Sequence, residues 1–117
     1  MPIPQTADTR HLSRTYMMRL LNLIMEDRRP GETASRRLKQ AGLMSCIYTM
    51  HLAGESVTVT KLCERVKAPR NVVVEIVKAL EDREFLTYRT NLHDGGRGRV
   101  YVYSLTEKAR ALVTVVE

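Results

Sequence analysis

The chain has no tryptophan, one phenylalanine and five tyrosines, so aromatic residues form only 5% of its 117 residues. Hydrophobic residues still reach 44%, and six of them are methionines. The core must therefore be filled mainly by aliphatic side chains and methionine, which favours helices over a β-sandwich. This length is enough for one compact domain with a helical extension, without a metal or disulfide framework.

Cysteine is also scarce, and neither Cys46 nor Cys63 has a histidine or a second cysteine at metal-ligand spacing. We therefore expect no metal site and no cofactor. Cys63 lies within an apolar pattern, Leu62-Cys63-x-x-Val66, which favours buried, reduced thiols. A redox switch is the alternative, and it would require an exposed thiol with a lowered pKa.

Long hydrophobic runs are missing from the first thirty residues, which charged side chains interrupt from Asp8 to Arg19. This excludes a signal peptide and a membrane span there, and it predicts a cytoplasmic protein. The chain also lacks a nucleophile with a base, paired catalytic carboxylates and a phosphate-cradling loop. We therefore expect no enzymatic activity.

The net charge of +6 favours a polyanionic partner, and its distribution is uneven. Residues 10–39 contain eight basic and three acidic side chains, whereas the rest of the chain contains eleven basic and ten acidic ones. Most of the excess positive charge thus precedes the segment that carries the motifs below. It includes three possible DNA contacts, Arg36, Arg37 and Lys39.

The first predicted helix begins after Asp8 or Thr9, runs to about residue 28 and is terminated by Pro30-Gly31. Its apolar arc is wide, so the helix is either internal to the fold or part of a dimer interface. The predicted dimerisation residues are Leu12, Tyr16, Leu20, Leu23 and Ile24. Residues 1–31 are accordingly predicted as an N-terminal arm with a dimerisation helix, and residues 32–117 as the main domain.

A second helical stretch can begin at Thr33 or Ser35, with Gly42 as a possible break, and Gly54 suits the left-handed position after its end. A short β-branched segment, 56–60, then predicts one strand. Thr60 is the predicted N-cap of a helix over 61–66.

Pro69 fits the first position of a longer helix that runs to residue 83. Two helices around a tight turn, the second amphipathic, form the helix-turn-helix pattern. Alternating segments at 86–90 and 100–105 flank a glycine-rich tip, which predicts a β-hairpin. Thr106 can cap a last helix from 107 to about 115. The predicted fold is mainly α-helical with a small β-hairpin: a winged helix-turn-helix with an N-terminal helical extension.

Three motifs follow one another in the second half of the chain. They are Leu62-Cys63-Glu64-Arg65-Val66, Val73-x-x-Ile76-Val77-x-x-Leu80-Glu81-Asp82-Arg83-x-Phe85-Leu86 and Gly98-Arg99-x-Tyr101-x-Tyr103-x-Leu105-Thr106-Glu107-Lys108-Ala109. In this order they resemble the winged-helix regulators of the multiple-antibiotic-resistance regulator (MarR) family, and the hairpin tip resembles that of the phenolic-acid regulator (PadR) family. The resemblance covers about 60% of the chain.

This resemblance implies that residues 69–83 form a recognition helix in the major groove and that the wing, 91–99, enters the minor groove. Arg70 and Asn71 would read base edges or hold phosphates, and Val74 would touch a thymine methyl. Glu75 would pair with Arg70 or Lys78, accept from a cytosine, or face solvent. The full predicted DNA-binding set is Lys61, Arg70, Asn71, Val74, Lys78, Arg89, His93, Arg97 and Arg99.

The chain departs from the MarR pattern at two points. Glu84 stands where those regulators usually have glycine after the recognition helix, which predicts a different helix ending. The sequence also stops at Glu117, before the long C-terminal helices that those families use to dimerise, so another helix would have to form the interface.

The predicted function is that of a dimeric transcriptional regulator that reads a palindromic site in double-stranded DNA. The alternative is a winged-helix module that binds a protein partner and reads no DNA sequence; apolar Val72 and Val74 on the second helix support that interpretation. A small-molecule effector stays open, because the methionines could line a cleft or simply fill the core.

Overall fold

The computed structural model describes residues 17–92 and 99–111 of the chain. Helix α1 is described over residues 17–26, and it ends four residues before Pro30. The later elements are α2 (Ala34–Leu52), α3 (Val59–Val66), α4 (Arg70–Asp82), β1 (Leu86–Leu92), β2 (Arg99–Leu105) and α5 (Glu107–Ala111). The predicted fold class, mainly helical with a small hairpin, is confirmed. Each helix within the described ranges is too short or too polar to span a membrane.

The hydrophobic core lies where helices α1 to α4 meet the base of the hairpin. From α4 it receives Val73, Val77 and Leu80, which leave almost no surface to solvent. Burial of each such side chain contributes about 2 kcal/mol to the free energy of unfolding. The three lie on one side of α4, so they determine which side of that helix faces solvent.

Helix α1 adds Leu20 and Ile24 to the same core, where both are completely buried within the single chain. Their assignment to a dimer interface is therefore wrong, because neither presents surface to a partner. Leu23 is 40% exposed and stays available. The other two predicted interface residues, Leu12 and Tyr16, lie outside the described residues.

Three helix ends follow the local capping signals. Thr33 Oγ1 accepts a hydrogen bond from the Arg36 amide at 3.1 Å, at the start of α2. Gly54 follows the end of α2 with a φ of 73°. Thr106 Oγ1 accepts from the Ala109 amide at 3.1 Å and caps α5, of which the last predicted residues lie outside the described ranges.

Three helices differ from the sequence prediction in a break or a boundary. Helix α2 continues through Gly42, because its buried face runs on both sides of that residue and tertiary packing outweighs the low helix propensity of glycine. Helix α3 is capped by Thr58 and not by Thr60, since Thr58 Oγ1 accepts from the Lys61 amide at 3.2 Å. Pro69 is the N-cap of α4 and not, as predicted, its first helical residue.

The end of α4 also differs from its prediction, because Glu84 adopts the left-handed conformation with a φ of 64°. The Glu84 amide donates to the Glu81 carbonyl at 2.8 Å, and the Phe85 amide donates to the Leu80 carbonyl at 3.1 Å. These two bonds define a Schellman motif. The glycine-like helix ending is thus retained by a glutamate.

Strands β1 and β2 pair antiparallel, with Leu86 opposite Leu105 at the base of the hairpin. The predicted strand at 56–60 is reduced to one bridge, in which the Tyr103 amide donates to the Val57 carbonyl at 2.8 Å. This bridge ties the helix-turn-helix to the hairpin and so sets the position of the wing beside α4.

Candidate nucleic-acid interface

Helix α4 turns its polar side to solvent, because its apolar stripe is held in the core. Of the residues predicted to contact DNA from this helix, Arg70, Asn71 and Lys78 are exposed, and Val74 is half-buried. Val74 packs partly against the core, so only a portion of its side chain is available to a thymine methyl.

Arg70 and Arg99 line one groove of about 460 Å³, although they stand 29 positions apart in the sequence. Arg70 comes from the first turn of α4 and Arg99 is the first residue of β2. Among the residues that the structure describes, neither arginine forms an ion pair. Both side chains are exposed.

The rest of this groove comes from the first turn of α3 and from the hairpin. Thr58 and Thr60 line it on the side of α3, where the helix N-terminus adds a partial positive charge. Thr90 and Tyr101 line the opposite side and are paired across the hairpin. Hydroxyls beside two arginines make a polar, positively charged groove, hereafter the α4–wing groove, which suits a phosphate group.

The predicted hairpin contacts do not all face this groove. Side chains alternate between the two faces of a strand, and Arg89 is paired with Val102, one position out of phase with Arg99, Tyr101 and Tyr103. Arg89 is exposed, but on the opposite face of the hairpin from Arg99. The two arginines therefore cannot bind the same phosphate.

Three tyrosines stiffen the hairpin on the Arg99 face. The Tyr88 and Tyr101 rings stack with centroids 4.8 Å apart, and the Tyr103 ring lies 6.0 Å from that of Tyr88. Burial raises the pKa of Tyr103 above its ordinary value, and the Glu81 carboxylate adds to the rise. The stack gives the wing a rigid base from which Arg99 projects.

Glu75 pairs with Arg36 of α2 at 3.3 Å, and not with Arg70 or Lys78, which was one of the alternatives that the sequence left open. Both side chains are exposed, and the pair bridges a second groove of about 440 Å³ between α2 and α4. Lys39 and Lys78 also line this groove. The carboxylate on the exposed side of α4 is thus balanced by cations from two helices.

Arg37 does not belong to this surface, which corrects its assignment as a possible DNA contact. The side chain is only 8% exposed, whereas its neighbour Arg36 is exposed. The Arg37 Nε atom is buried and makes no hydrogen bond in the described part of the chain. The sequence could not show that Arg36 is exposed and Arg37 buried, because their burial depends on which face of α2 meets the core.

Lys61 is exposed in the first turn of α3, but it lies apart from the α4–wing groove. It lines a shallow hollow of about 280 Å³ together with Glu55, Glu64 and Arg65. The Arg65 guanidinium is already held by both oxygens of Glu55, at 2.8 and 3.0 Å. Lys61 therefore shares its hollow with two carboxylates, of which Glu55 is already paired, and it does not line the groove of Arg70 and Arg99.

The fold is a winged helix-turn-helix. No protein-family model matches the chain, and no curated protein is significantly similar to it. A mutant of ZitR from Lactococcus lactis, solved in complex with DNA, is 26% identical, with 62% of this chain and 46% of that chain covered and a TM-score of 0.44.

Two further solved structures are similar to it. Zinc-responsive ZitR, described as a MarR family member, is 23% identical over 86% of this chain and 71% of that chain, with a TM-score of 0.47. The oxidised form of MarR from E. coli is 16% identical over 98% of this chain and 72% of that chain, with a TM-score of 0.44. The chain spans about half the length of two of the ZitR structures, 46% and 53%. The fold assignment rests on the topology of the chain itself.

Two predicted wing residues, His93 and Arg97, belong to the hairpin tip, 93–98, and lie outside the described residues. Of the predicted wing contacts, Arg89 and Arg99 are described. Sequence reasoning missed the threonines and Tyr101 of the α4–wing groove. Pairing the two strands from their apolar bases would have placed Thr90 opposite Tyr101, which was the signal available.

Both cysteines are half-buried, free and packed partly against the core. Burial raises the pKa of the Cys46 thiol, and this effect outweighs the opposing influence of Arg65. A raised pKa lowers the thiolate fraction, so Cys46 lacks the property that a thiol switch requires. Within the described ranges, no three histidine, cysteine or acidic side chains are grouped so that they could hold a metal.

Proposed function

We propose that the chain is a transcription regulator that binds duplex DNA, with α4 in the major groove and the β1–β2 hairpin directed towards the adjacent minor groove. The observation that carries this proposal is the convergence of Arg70 and Arg99 on one hydroxyl-lined groove beside the exposed side of α4. A helix of about 10–12 Å diameter fits a major groove about 12 Å wide.

In this arrangement Arg70 and Arg99 hold a backbone phosphate where α4 meets the wing. Asn71 then lies deeper in the major groove, where its amide can contact an adenine edge. Lys78, Arg36 and Lys39 follow the other side of α4 and face the opposite phosphate strand. Arg97 and His93, outside the described residues, stay predicted contacts of the wing.

We further propose that the chain acts as a homodimer on a palindromic site, with two recognition helices about one helical turn apart. Leu23, exposed on α1, and the undescribed Leu12 and Tyr16 carry the predicted contact. The arm at 1–31 and the domain at 32–117 are retained as functional units, although the described part of α1 shares the core of the domain.

Selection of bound sequences from a random DNA pool tests this proposal. We expect a palindrome with half-sites about ten base pairs apart. Binding should also weaken steeply with salt, because each neutralised phosphate releases counterions. If the selection enriches no sequence, and the chain is instead found to bind a protein partner, the protein-binding alternative is favoured.

The double variant Arg70→Ala/Arg99→Ala is the sharper test. We expect a loss of affinity of about tenfold or more on every DNA sequence, equivalent to about 1.4 kcal/mol, since phosphate contacts carry no sequence information. The slope of log affinity against log salt should fall by about one or two. Measurement is by fluorescence anisotropy on labelled duplexes.

Arg28→Ala/Arg110→Ala is the matched control, because it removes the same charge from two exposed arginines that do not line the groove. If both double variants bind equally well, the effect is one of net charge alone and the α4–wing groove is not the contact.

A further inference from the structure

Arg83, at the C-terminal end of α4, is the most buried charged side chain in the described part of the chain, at 2% exposure. It follows Leu80 by three positions and therefore lies on the buried side of the helix. A cation at such a place is unfavourable unless each of its donors finds an acceptor. The contacts around Arg83 meet that requirement.

Each nitrogen of the Arg83 guanidinium donates to a different side chain. Nε donates to Gln40 Oε1 at 2.6 Å, Nη1 to Asp27 Oδ2 at 2.6 Å, and Nη2 to Glu32 Oε1 at 2.5 Å. Gln40 Nε2 in turn donates to Glu32 Oε2 at 2.7 Å, which closes a ring of hydrogen bonds. We call these four residues the Arg83 cluster.

The cluster joins parts of the fold that are distant in sequence. Asp27 and Glu32 belong to the connector between α1 and α2, Gln40 belongs to α2, and Arg83 ends α4. The Arg83 carbonyl also accepts from Lys108 Nζ of α5 at 3.2 Å. The Arg83 side chain thus holds the end of α4 to the connector and to α2, and its backbone carbonyl adds a contact to α5.

The cluster is better suited to setting geometry than to adding stability. A buried ion pair recovers little net stability, because desolvation of the charges offsets their attraction. A planar guanidinium, however, holds its N–H donors in a rigid fork, so its partners must lie in one defined arrangement. Glu32, at 12% exposure, is held in the same arrangement.

We propose that Arg83 is a positioning residue for DNA binding: it fixes the orientation of α4 against α2 and the α1–α2 connector. The inference rests on the proposed function, in which α4 enters the major groove. A change at Arg83 would tilt α4, so that Arg70 at its start no longer meets a phosphate at the same time as Arg99 on the wing.

Arg83→Lys is the first test, because it keeps the charge and the bulk but replaces the fork by a single ammonium group. We expect DNA affinity to fall about tenfold, or about 1.4 kcal/mol, at a temperature where circular dichroism shows the variant fully folded. The slope of log affinity against log salt should also decrease, because a tilted α4 makes fewer phosphate contacts. A purely structural role would leave that slope unchanged in the folded protein.

Asp27→Asn/Glu32→Gln/Arg83→Met is the second variant, for use whether or not the lysine variant folds. It removes the three charges of the Arg83 cluster together, which is far better tolerated than removal of one partner. We expect the protein with this uncharged cluster to fold and still to bind DNA about tenfold less tightly, because the ring of hydrogen bonds is gone.

Arg65→Lys is the matched control, since Arg65 is also a helix arginine ion-paired with a carboxylate, Glu55, but its hydrogen bonds in the described part of the chain do not involve α4. The inference is overturned if a folded Arg83 variant binds DNA within twofold of the unaltered protein, or if Arg65→Lys weakens binding as much. If the unaltered protein itself binds no DNA, the proposed function fails, which is a distinct result.

Discussion

Glu84 combines a backbone φ of 64° with a side chain that lies exposed at the surface. For a residue with a Cβ, the left-handed region is about 1 kcal/mol or more higher in free energy than it is for glycine. The conformation persists because Glu84 and Phe85 donate to the last turn of α4, and because the Glu84 carbonyl accepts from Thr106 Oγ1 at 2.5 Å.

Glu84→Gly should therefore stabilise the protein, by about 1 kcal/mol in the free energy of unfolding. The measurement is the urea midpoint, followed by circular dichroism at 222 nm. Glu64→Gly, an exposed residue inside α3, is the control and should destabilise by about 1 kcal/mol. A lower midpoint for Glu84→Gly would mean that the glutamate side chain contributes a contact that outweighs the strain.

Single residues were predictable where their partners lie within a few positions along the chain. Thr33 caps α2 and Thr106 caps α5 through amides three residues later. Arg83 was unpredictable for the opposite reason, because its partners are more than forty positions away. The Arg36–Glu75 pair was missed in the same way, since only tertiary packing brings α2 beside α4.

At the scale of elements, α2 illustrates how packing overrides a local break signal. Gly42 lies mid-helix on the exposed side, and a Cβ built there meets no atom within 4 Å. The helix continues because buried residues on both sides of Gly42, among them Ala41 and Leu43, anchor the same helix to the core.

Gly42→Ala is accordingly expected to raise the free energy of unfolding by about 1 kcal/mol, through higher helix propensity alone. Gly54→Ala makes the matched control, since the space around that glycine is equally open but its φ is 73°. The control should destabilise by about 1 kcal/mol. The thermal unfolding midpoints of the two variants and of the parent protein test this expectation. A lower midpoint for Gly42→Ala than for the parent would show that α2 is strained at this point.

At the scale of the whole molecule, the described surface of α1 limits how two copies could meet. Leu20 and Ile24 are buried in the core of the single chain and cannot contact a second copy. The predicted dimer contact is therefore limited to Leu23 and to residues before the described range. Leu23→Arg should then weaken self-association by about tenfold, because a charge replaces an apolar contact.

Sedimentation velocity over a concentration series measures this self-association. Leu38→Arg serves as the control, because Leu38 is 60% exposed on α2 and outside the predicted contact. Equal behaviour of the two variants would place the interface elsewhere, and a parent protein that stays monomeric would exclude the dimer.

The sequence by itself determined the order of the helices, the N-caps of α2 and α5 and the hairpin, because hydrophobic period, caps and turns are local properties. It also determined which residues carry the positive charge. Only the tertiary structure decided which of those charges act together: Arg70 and Arg99 converge, Arg37 is buried, and Arg83 is enclosed by a ring of acceptors. The physical reason is that charge is a property of a residue, whereas burial and partnership depend on how the helices pack.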